Sequence, residues 1–441
     1  MKSLRRRSVL GFLALFGVLV AFYAITYSRR AITDTDLNSL QTRSFVLHGD
    51  IDIARYEENP GRRAQVVERD GHVYTIYGVG ISLITAPLYV WLVRAGASQD
   101  LLQGAVGISF VAASVVVLLF VLLRLVPQRL AIAAAIAFAF GTTMWPVASM
   151  AFFQQGPAIF LECIGIAGLF SRTKRGPLIA GAGFGAAAFV RPTLAIPFVV
   201  IALVYLARDR RGLVSYAAGA FVPMAAFLVS NRWIWGTWLS GGYSHTGIGF
   251  NADAPTSFVG LTVGWWRGLF VYSPVLALGV VGWILALRKA SGDTELRLAA
   301  LGFSCLATLL FYSKWDDWGG GINQFGYRLQ LEIVPFLVVL GAYALAKLPR
   351  LRPLAIGLGA VSILTMTWGA VESRDRWDAV LFATTFADTS IGRAWDNVLH
   401  HPLPGLTLLV GVAFVATIML AIGSRLAPAD PPLFTPASEA A

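Results

Sequence analysis

The chain has 441 residues, 56% of them hydrophobic and 13% charged, with a mean hydropathy of +0.67. A soluble chain carries roughly 25% charged residues, so a soluble globular fold is excluded. The net charge of +11 suggests nucleic acid, but the positive residues sit in short turns between apolar runs rather than on a basic face, which excludes a nucleic-acid partner.

The apolar runs are about 18 to 24 residues long, enough to cross a hydrocarbon core of about 30 Å. Residues 1–27 resemble a signal peptide, but the apolar stretch is too long and no small-residue cleavage site follows. They are read as an uncleaved first spanning helix, 8–27. A polar loop, 28–75, follows, and then an apolar stretch, 76–93. Further spans are predicted at 101–124, 129–147, 155–170, 177–190, 194–207, 213–231, 269–287, 296–313, 329–346, 353–370 and 404–422. The fold class is therefore an all-α polytopic membrane protein of about 12 transmembrane helices (about 11–13). Residues 1–425 form one transmembrane domain, and 426–441 form a short cytoplasmic tail that is expected to be disordered.

Charge decides whether 76–93 spans. Basic clusters lie at Arg5, Arg6 and Arg7, at Arg172, Lys174 and Arg175, at Arg208, Arg210 and Arg211, and at Lys347, Arg350 and Arg352. Only if 76–93 stays at the membrane surface do all of them face the cytoplasm. Gly78, Gly80 and Pro87 also argue against a straight spanning helix there. The same count places the turn Arg191-Pro192-Thr193 within the membrane depth, between two short helices. Gly181 and Gly185 in the first of these suit close helix packing. Cys163 and Cys305 lie inside apolar runs, with no disulfide or zinc spacing, and are read as small core residues.

Chemistry-bearing residues collect on the other side. Asp34 and Asp36 follow the first helix. A carboxylate there can act as a general base or hold a divalent cation, although solvated loop acids are the plainer reading. Asp50 and Asp52 form a second acidic pair. Gln154 and Gln155 offer amides to hydroxyl or phosphate groups. Glu162 is an intramembrane carboxylate whose plainer role is to pair with Arg191. The Arg191 fork suits a phosphate. Trp233, Trp235, Trp238, Tyr243, Trp265 and Trp266 could form an interfacial belt or stack on sugars and prenyl chains; His245 and Arg267 lie among them. Lys314 and Arg328 flank a glycine-rich stretch, and Arg328 and Glu332, four residues apart, could pair on one helix face.

Several segments together resemble the GT-C glycosyltransferases, specifically bacterial relatives of the protein mannosyltransferase and lipid A aminoarabinose transferase group. They are Asp34-Thr35, His48 through Asp52, Tyr74 through Gly80 with Ala86-Pro87, Arg191-Pro192-Thr193, Arg267 through Phe270 with Ser273-Pro274, and Trp318-Gly319-Gly320 with Gly326-Tyr327-Arg328 and Pro335. The family often has Asp-Glu where this chain has Asp34-Thr35-Asp36. Many relatives have Pro-Pro-Gly at Gly78-Val79-Gly80 and an acid at Gln154 or Gln155.

The resemblance implies an integral protein of a bacterial inner or plasma membrane. It would move a sugar from a polyprenyl-phosphate carrier to a glycan, lipid or protein acceptor on the extracytoplasmic side, with inversion. Asp34, or else Asp36, would be the general base. Arg191, Lys314 and Arg328 would stabilise the leaving phosphate, and Arg267, His245, Gln154 and Tyr77 would help to bind substrate. No resident metal is demanded, though Mg2+ or Mn2+ could join. The alternatives are a transporter or flippase of a lipid-linked sugar and a non-catalytic envelope-assembly subunit. A transporter would more often show internal repeats, and none is visible here.

Overall fold

A computed structural model describes residues 2–27, 33–56, 65–239, 241–320, 325–372, 389–426 and 432–434. The fold is helical throughout except for one short ribbon. In chain order the elements are α1 (Lys2–Thr26), α2 (Thr33–His48), β1 (Val66–Arg69), β2 (His72–Thr75), α3 (Gly80–Arg94), α4 (Gln99–Leu125), α5 (Gln128–Phe140), α6 (Gln155–Leu169), α7 (Gly176–Val190), α8 (Ala195–Arg208), α9 (Arg210–Trp235), α10 (Ala254–Thr262), α11 (Leu269–Tyr272), α12 (Ala277–Leu287), α13 (Asp293–Lys314), α14 (Val334–Lys347), α15 (Arg352–Glu372), α16 (Ser390–His400) and α17 (Pro402–Gly423).

Each predicted apolar run falls on a helix. Among the described residues, seven helices are long and apolar enough to cross a membrane, and the rest of the predicted runs form shorter apolar helices. The predicted run 129–147 is shorter as a helix: α5 stops at Phe140. Thr142 turns its hydroxyl back to the Phe138 carbonyl, and Pro146 cannot continue a helix. The run 269–287 is broken at Ser273-Pro274, between α11 and a short 3-10 turn ahead of α12.

Glycine seams draw the helices together. A Cβ on Gly181 of α7 would collide with the Tyr216 carbonyl of α9, and one on Gly219 of α9 with the Leu178 carbonyl. Gly183 of α7 lies against Gly165 of α6 in the same way. Such small-residue contacts let backbones approach where lipid removes any hydrophobic drive between helices. Gly181→Leu is therefore expected to cost about 1–3 kcal/mol by overpacking, read as a lower unfolding midpoint of the detergent-solubilised protein. An unchanged midpoint would show that the seam does not hold the bundle.

The basic turns gather at one end. Arg297 donates to the Leu169 carbonyl at 2.7 Å, and Arg208 to Ser291 at 3.4 Å. Gln128 donates to Gly423 at 2.6 Å. In the C-terminal segment, the Leu433 amide bonds the Arg124 carbonyl at 3.0 Å and Phe434 packs on Tyr343.

At the other end the chain between α1 and α3 is more structured than a loop. Its helix α2 buries polar residues, including Asn38, Gln41 and Thr42. The ribbon β1–β2 is antiparallel, with Arg69 opposite His72 and Val66 opposite Thr75. Its turn, Asp70-Gly71, has φ of 54° and 79°, the left-handed pair that a two-residue hairpin needs. Asp52 caps the ribbon by accepting from the Val73 amide at 3.0 Å and holding His72 at 2.9 Å. Asp50 binds Ser44 and Arg55. The second acidic pair is thus structural. The stretch after the ribbon becomes α3, helical despite Pro87, with Gly80 seated against the Phe189 carbonyl at the end of α7.

Candidate functional site

Five side chains meet where helices start, stop or break. Arg191 follows α7. Pro192 disfavours further helix at the preceding residue, and Arg191 takes an extended conformation (φ −133°, ψ 108°), which turns its side chain inward. Arg328 and Glu332 come from the 3-10 turn Leu329–Ile333 and its cap, ahead of α14. Gln155 is the first residue of α6, and Asp34 lies in the first turn of α2.

The five form one network. Asp34 is ion-paired with the Nη2 of Arg328, and Glu332 with the Nε of Arg191. Between them lies Gln155, whose carboxamide faces only donors on one side; oriented to satisfy them, its oxygen accepts from Arg328 Nε and from Arg191 Nη1, both at 3.2 Å. Glu332 also accepts from Thr193 at 2.8 Å and Tyr312 at 2.8 Å, while Tyr312 accepts from Arg191 at 2.9 Å. Arg328 lies over the Phe153 ring at 4.3 Å. The Arg191 and Glu332 side chains are 8% and 0% exposed; each charge is tolerable there only because the other neutralises it.

This pairing corrects two expectations. Arg191 pairs with Glu332, not with Glu162. Glu162, lower on α6, has neither carboxylate oxygen hydrogen-bonded among the described residues. Arg328 and Glu332 do not pair with each other. They belong to a 3-10 turn, in which positions four apart point about 120° away from one another.

The other predicted residues scatter. Asp36 lies two residues beyond Asp34, about 200° around the helix, and accepts from Gln103 at 2.7 Å. Arg267 is buried but directs its guanidinium to the carbonyls of Gly319 and Gly326, both at 3.0 Å. His245 is exposed and stacks on Trp235 at 5.0 Å. Lys314 is exposed at the end of α13. Gln154 is buried beside Gln155, with its side-chain nitrogen unpartnered among the described residues. Tyr77 does reach the network: its hydroxyl lies close enough to Asp34 for each to shift the other's titration.

The placement of Tyr77 has a local cause. Asp34, Asn38 and Gln41 share one face of α2. Asn38 donates to the Phe152 carbonyl at 3.1 Å, and Gln41 to Gly78 at 3.3 Å and Ser82 at 3.1 Å. The same helix face that carries Asp34 therefore also fastens the segment that carries Tyr77. Tyr243 packs edge-on against Tyr77 at 6.1 Å and lies within the field of all four charged groups.

Burial alone would raise the Asp34 carboxyl. The charge of Arg328 and its hydrogen bond outweigh that and hold it below the usual range, so Asp34 is ionised at neutral pH. Burial, and then the Asp34 charge, push the Tyr77 hydroxyl well up; burial pushes Tyr243 up to about 12. Both phenols stay protonated donors. Arg328 Nη1 has no protein acceptor among the described residues. Among those residues, no cluster of three or more His, Cys, Asp or Glu is placed to hold a metal ion, and the site's own carboxylates, Asp34 and Glu332, are engaged by guanidinium groups.

The fold resembles that of ArnT from Cupriavidus metallidurans, solved bound to undecaprenyl phosphate. The two share 15% identity and a TM-score of 0.56, over 95% of this chain and 76% of the other. The expected GT-C-like architecture is thus found. No curated protein matches by sequence. The description "Glycosyltransferase family 87" matches residues 74–313, more than half of the 441 residues and inclusive of Tyr77, Gln155, Arg191 and Tyr312, and this integral membrane protein belongs to that family.

Proposed function

We propose that the chain transfers a sugar from a polyprenyl-phosphate carrier to a hydroxyl of an envelope glycan, lipid or protein, on the extracytoplasmic side of a bacterial inner membrane, with inversion. The observation that carries this reading is the single network joining an ionised carboxylate to two guanidinium groups. The likeness to a fold captured with undecaprenyl phosphate supports a carrier of that chemistry.

The acceptor oxygen attacks the anomeric carbon from the face opposite the phosphate, and its proton passes to Asp34. The bond from the anomeric carbon to the phosphate oxygen breaks, and its electron pair leaves on polyprenyl phosphate. Arg328 and Arg191 offset the charge that develops there, preorganised before the reaction. Tyr77 keeps the Asp34 carboxylate aimed. Tyr243, Trp315 and Phe250 stand in successive edge-to-face contact at 5.5 and 5.3 Å. They lead from the network to the exposed Phe250 side chain, an apolar path suited to the prenyl chain.

The test is release of free polyprenyl phosphate by purified protein in lipid nanodiscs, supplied with polyprenyl-phosphate sugars. Release should depend on an acceptor. Movement of intact donor across the bilayer without cleavage would favour the flippase reading instead. The pH profile should carry a signature. Because the Asp34 pKa is depressed in the free protein, the acid limb of kcat/KM should lie below about 3.9, the ordinary value for Asp. In the donor complex, phosphate shares Arg328 and the carboxylate becomes more basic, so the acid limb of kcat should sit higher. Coincident limbs would remove Arg328 from the donor site.

A further inference from the structure

Gln155 holds a position that the chemistry above leaves without a role. It is fully buried, and its one oxygen serves both cations of the site at 3.2 Å. Two guanidinium groups that share a neighbour repel each other. On their outer sides they are held apart by Asp34 and Glu332, which belong to different elements and would draw them away from each other. Gln155 is what draws them together. The two nitrogens on its oxygen, each 3.2 Å from it, can be no farther apart than twice that distance, a span that one phosphate can bridge with charge-assisted hydrogen bonds of about 2.8 Å.

The residue type matters as much as the position. The network holds two cations and two carboxylates and is formally neutral. A carboxylate at 155 would satisfy the same nitrogens but would make the network anionic before any phosphate arrived. An amide supplies the acceptor without the charge. It also leaves Arg328 Nη1 uncommitted among the described residues.

We propose that Gln155 is a positioning residue: it sets the spacing and tilt of Arg191 and Arg328, making them a two-pronged clamp for one phosphate, without touching the substrate. This deepens the polyprenyl-phosphate reading and rests on it for the identity of the ligand, but not for the clamp itself.

The full-length protein in detergent tests it with Gln155→Glu and Gln155→Met. The charged variant pairs well with both arginines, so its unfolding midpoint should hold or rise while its affinity for undecaprenyl phosphate falls at least 10-fold. The methionine variant keeps the volume but loses the acceptor. Its midpoint should fall, its donor KM should rise, and kcat should drop because the cations no longer converge. A stabilised protein that binds phosphate worse is an outcome that a packing role does not produce. The idea is overturned if Gln155→Glu binds undecaprenyl phosphate as the wild type does, or if both variants lose undecaprenol, the uncharged lipid, in parallel with the phosphate. Inorganic phosphate tests the clamp alone: it should protect the wild type against thermal unfolding and leave Gln155→Glu unprotected, and equal protection would overturn the clamp. If the wild type did not prefer undecaprenyl phosphate over undecaprenol, the carrier would be wrong, while the inorganic phosphate result would still decide the clamp.

Discussion

Asp34→Asn should reduce sugar transfer by about 10²- to 10⁴-fold, the usual contribution of a positioned general base. The asparagine keeps the shape and can still meet Arg328, so the protein should purify and unfold much as the wild type does. The pair is mostly buried, with side chains 12% and 18% accessible, so the fold holds because the neutral asparagine keeps the hydrogen bond to Arg328 and leaves no buried group unsatisfied. Donor binding should hold or tighten, because removing the carboxylate frees Arg328 for phosphate. The expected signature is thus a collapse of kcat with an equal or lower donor dissociation constant, measured by single turnover and by lipid-phosphate binding. Asp36→Asn is the control. Its carboxylate faces Gln103 of α4, and its transfer rate should stay within a few-fold of wild type. Wild-type turnover in the Asp34 variant would end its assignment as the base.

Glu332→Leu should be the most destabilising single change at the site. It strips Arg191 of its partner inside the bundle and leaves the hydroxyls of Thr193 and Tyr312 without their acceptor. Removing one member of a buried pair costs about 3–5 kcal/mol, because the remaining charge is uncompensated. Replacing both members, Arg191→Met with Glu332→Leu, should recover most of that loss, since two apolar side chains fill the space without any charge to desolvate. Activity should not return with stability, because one arm of the clamp is gone. The measurements are chemical unfolding in detergent and transfer by each variant. A double variant that is both stable and fully active would make Arg191 a structural residue only.

The apolar runs were legible because a bilayer imposes a simple length rule on the chain. The site was only partly legible, for identifiable reasons. Helix α2 was read as loop because its buried face is Asn38, Gln41, Thr42 and their neighbours, so no apolar period marks it. The hairpin did announce itself, as Asp70-Gly71 between Val67-Glu68-Arg69 and Val73-Tyr74-Thr75, a local signal that hydropathy drowned out. The partner of Arg191 stands 141 residues away, and no spacing rule spans that distance. Gln154 and Gln155 differ only by helix register: adjacent residues point about 100° apart, and composition does not mark where α6 starts. Asp34 and Arg328 were singled out by residue type and sidedness, but that they touch each other was not predicted.

The shortness of α7 and α8 bears on how the proposed lipid donor would arrive. At 15 and 14 residues they rise about 22 and 21 Å, less than a hydrocarbon core of about 30 Å. Measured from the basic ends of the two helices, the turn that carries Arg191 therefore falls short of a full span. On the proposed reading, a carrier diffusing in the plane of the membrane need not be lifted out of its leaflet to be read; its phosphate has only to dip from the headgroup layer toward the cations while the prenyl chain stays among the lipids. The search for substrate is then two-dimensional, and the prenyl chain never has to meet water.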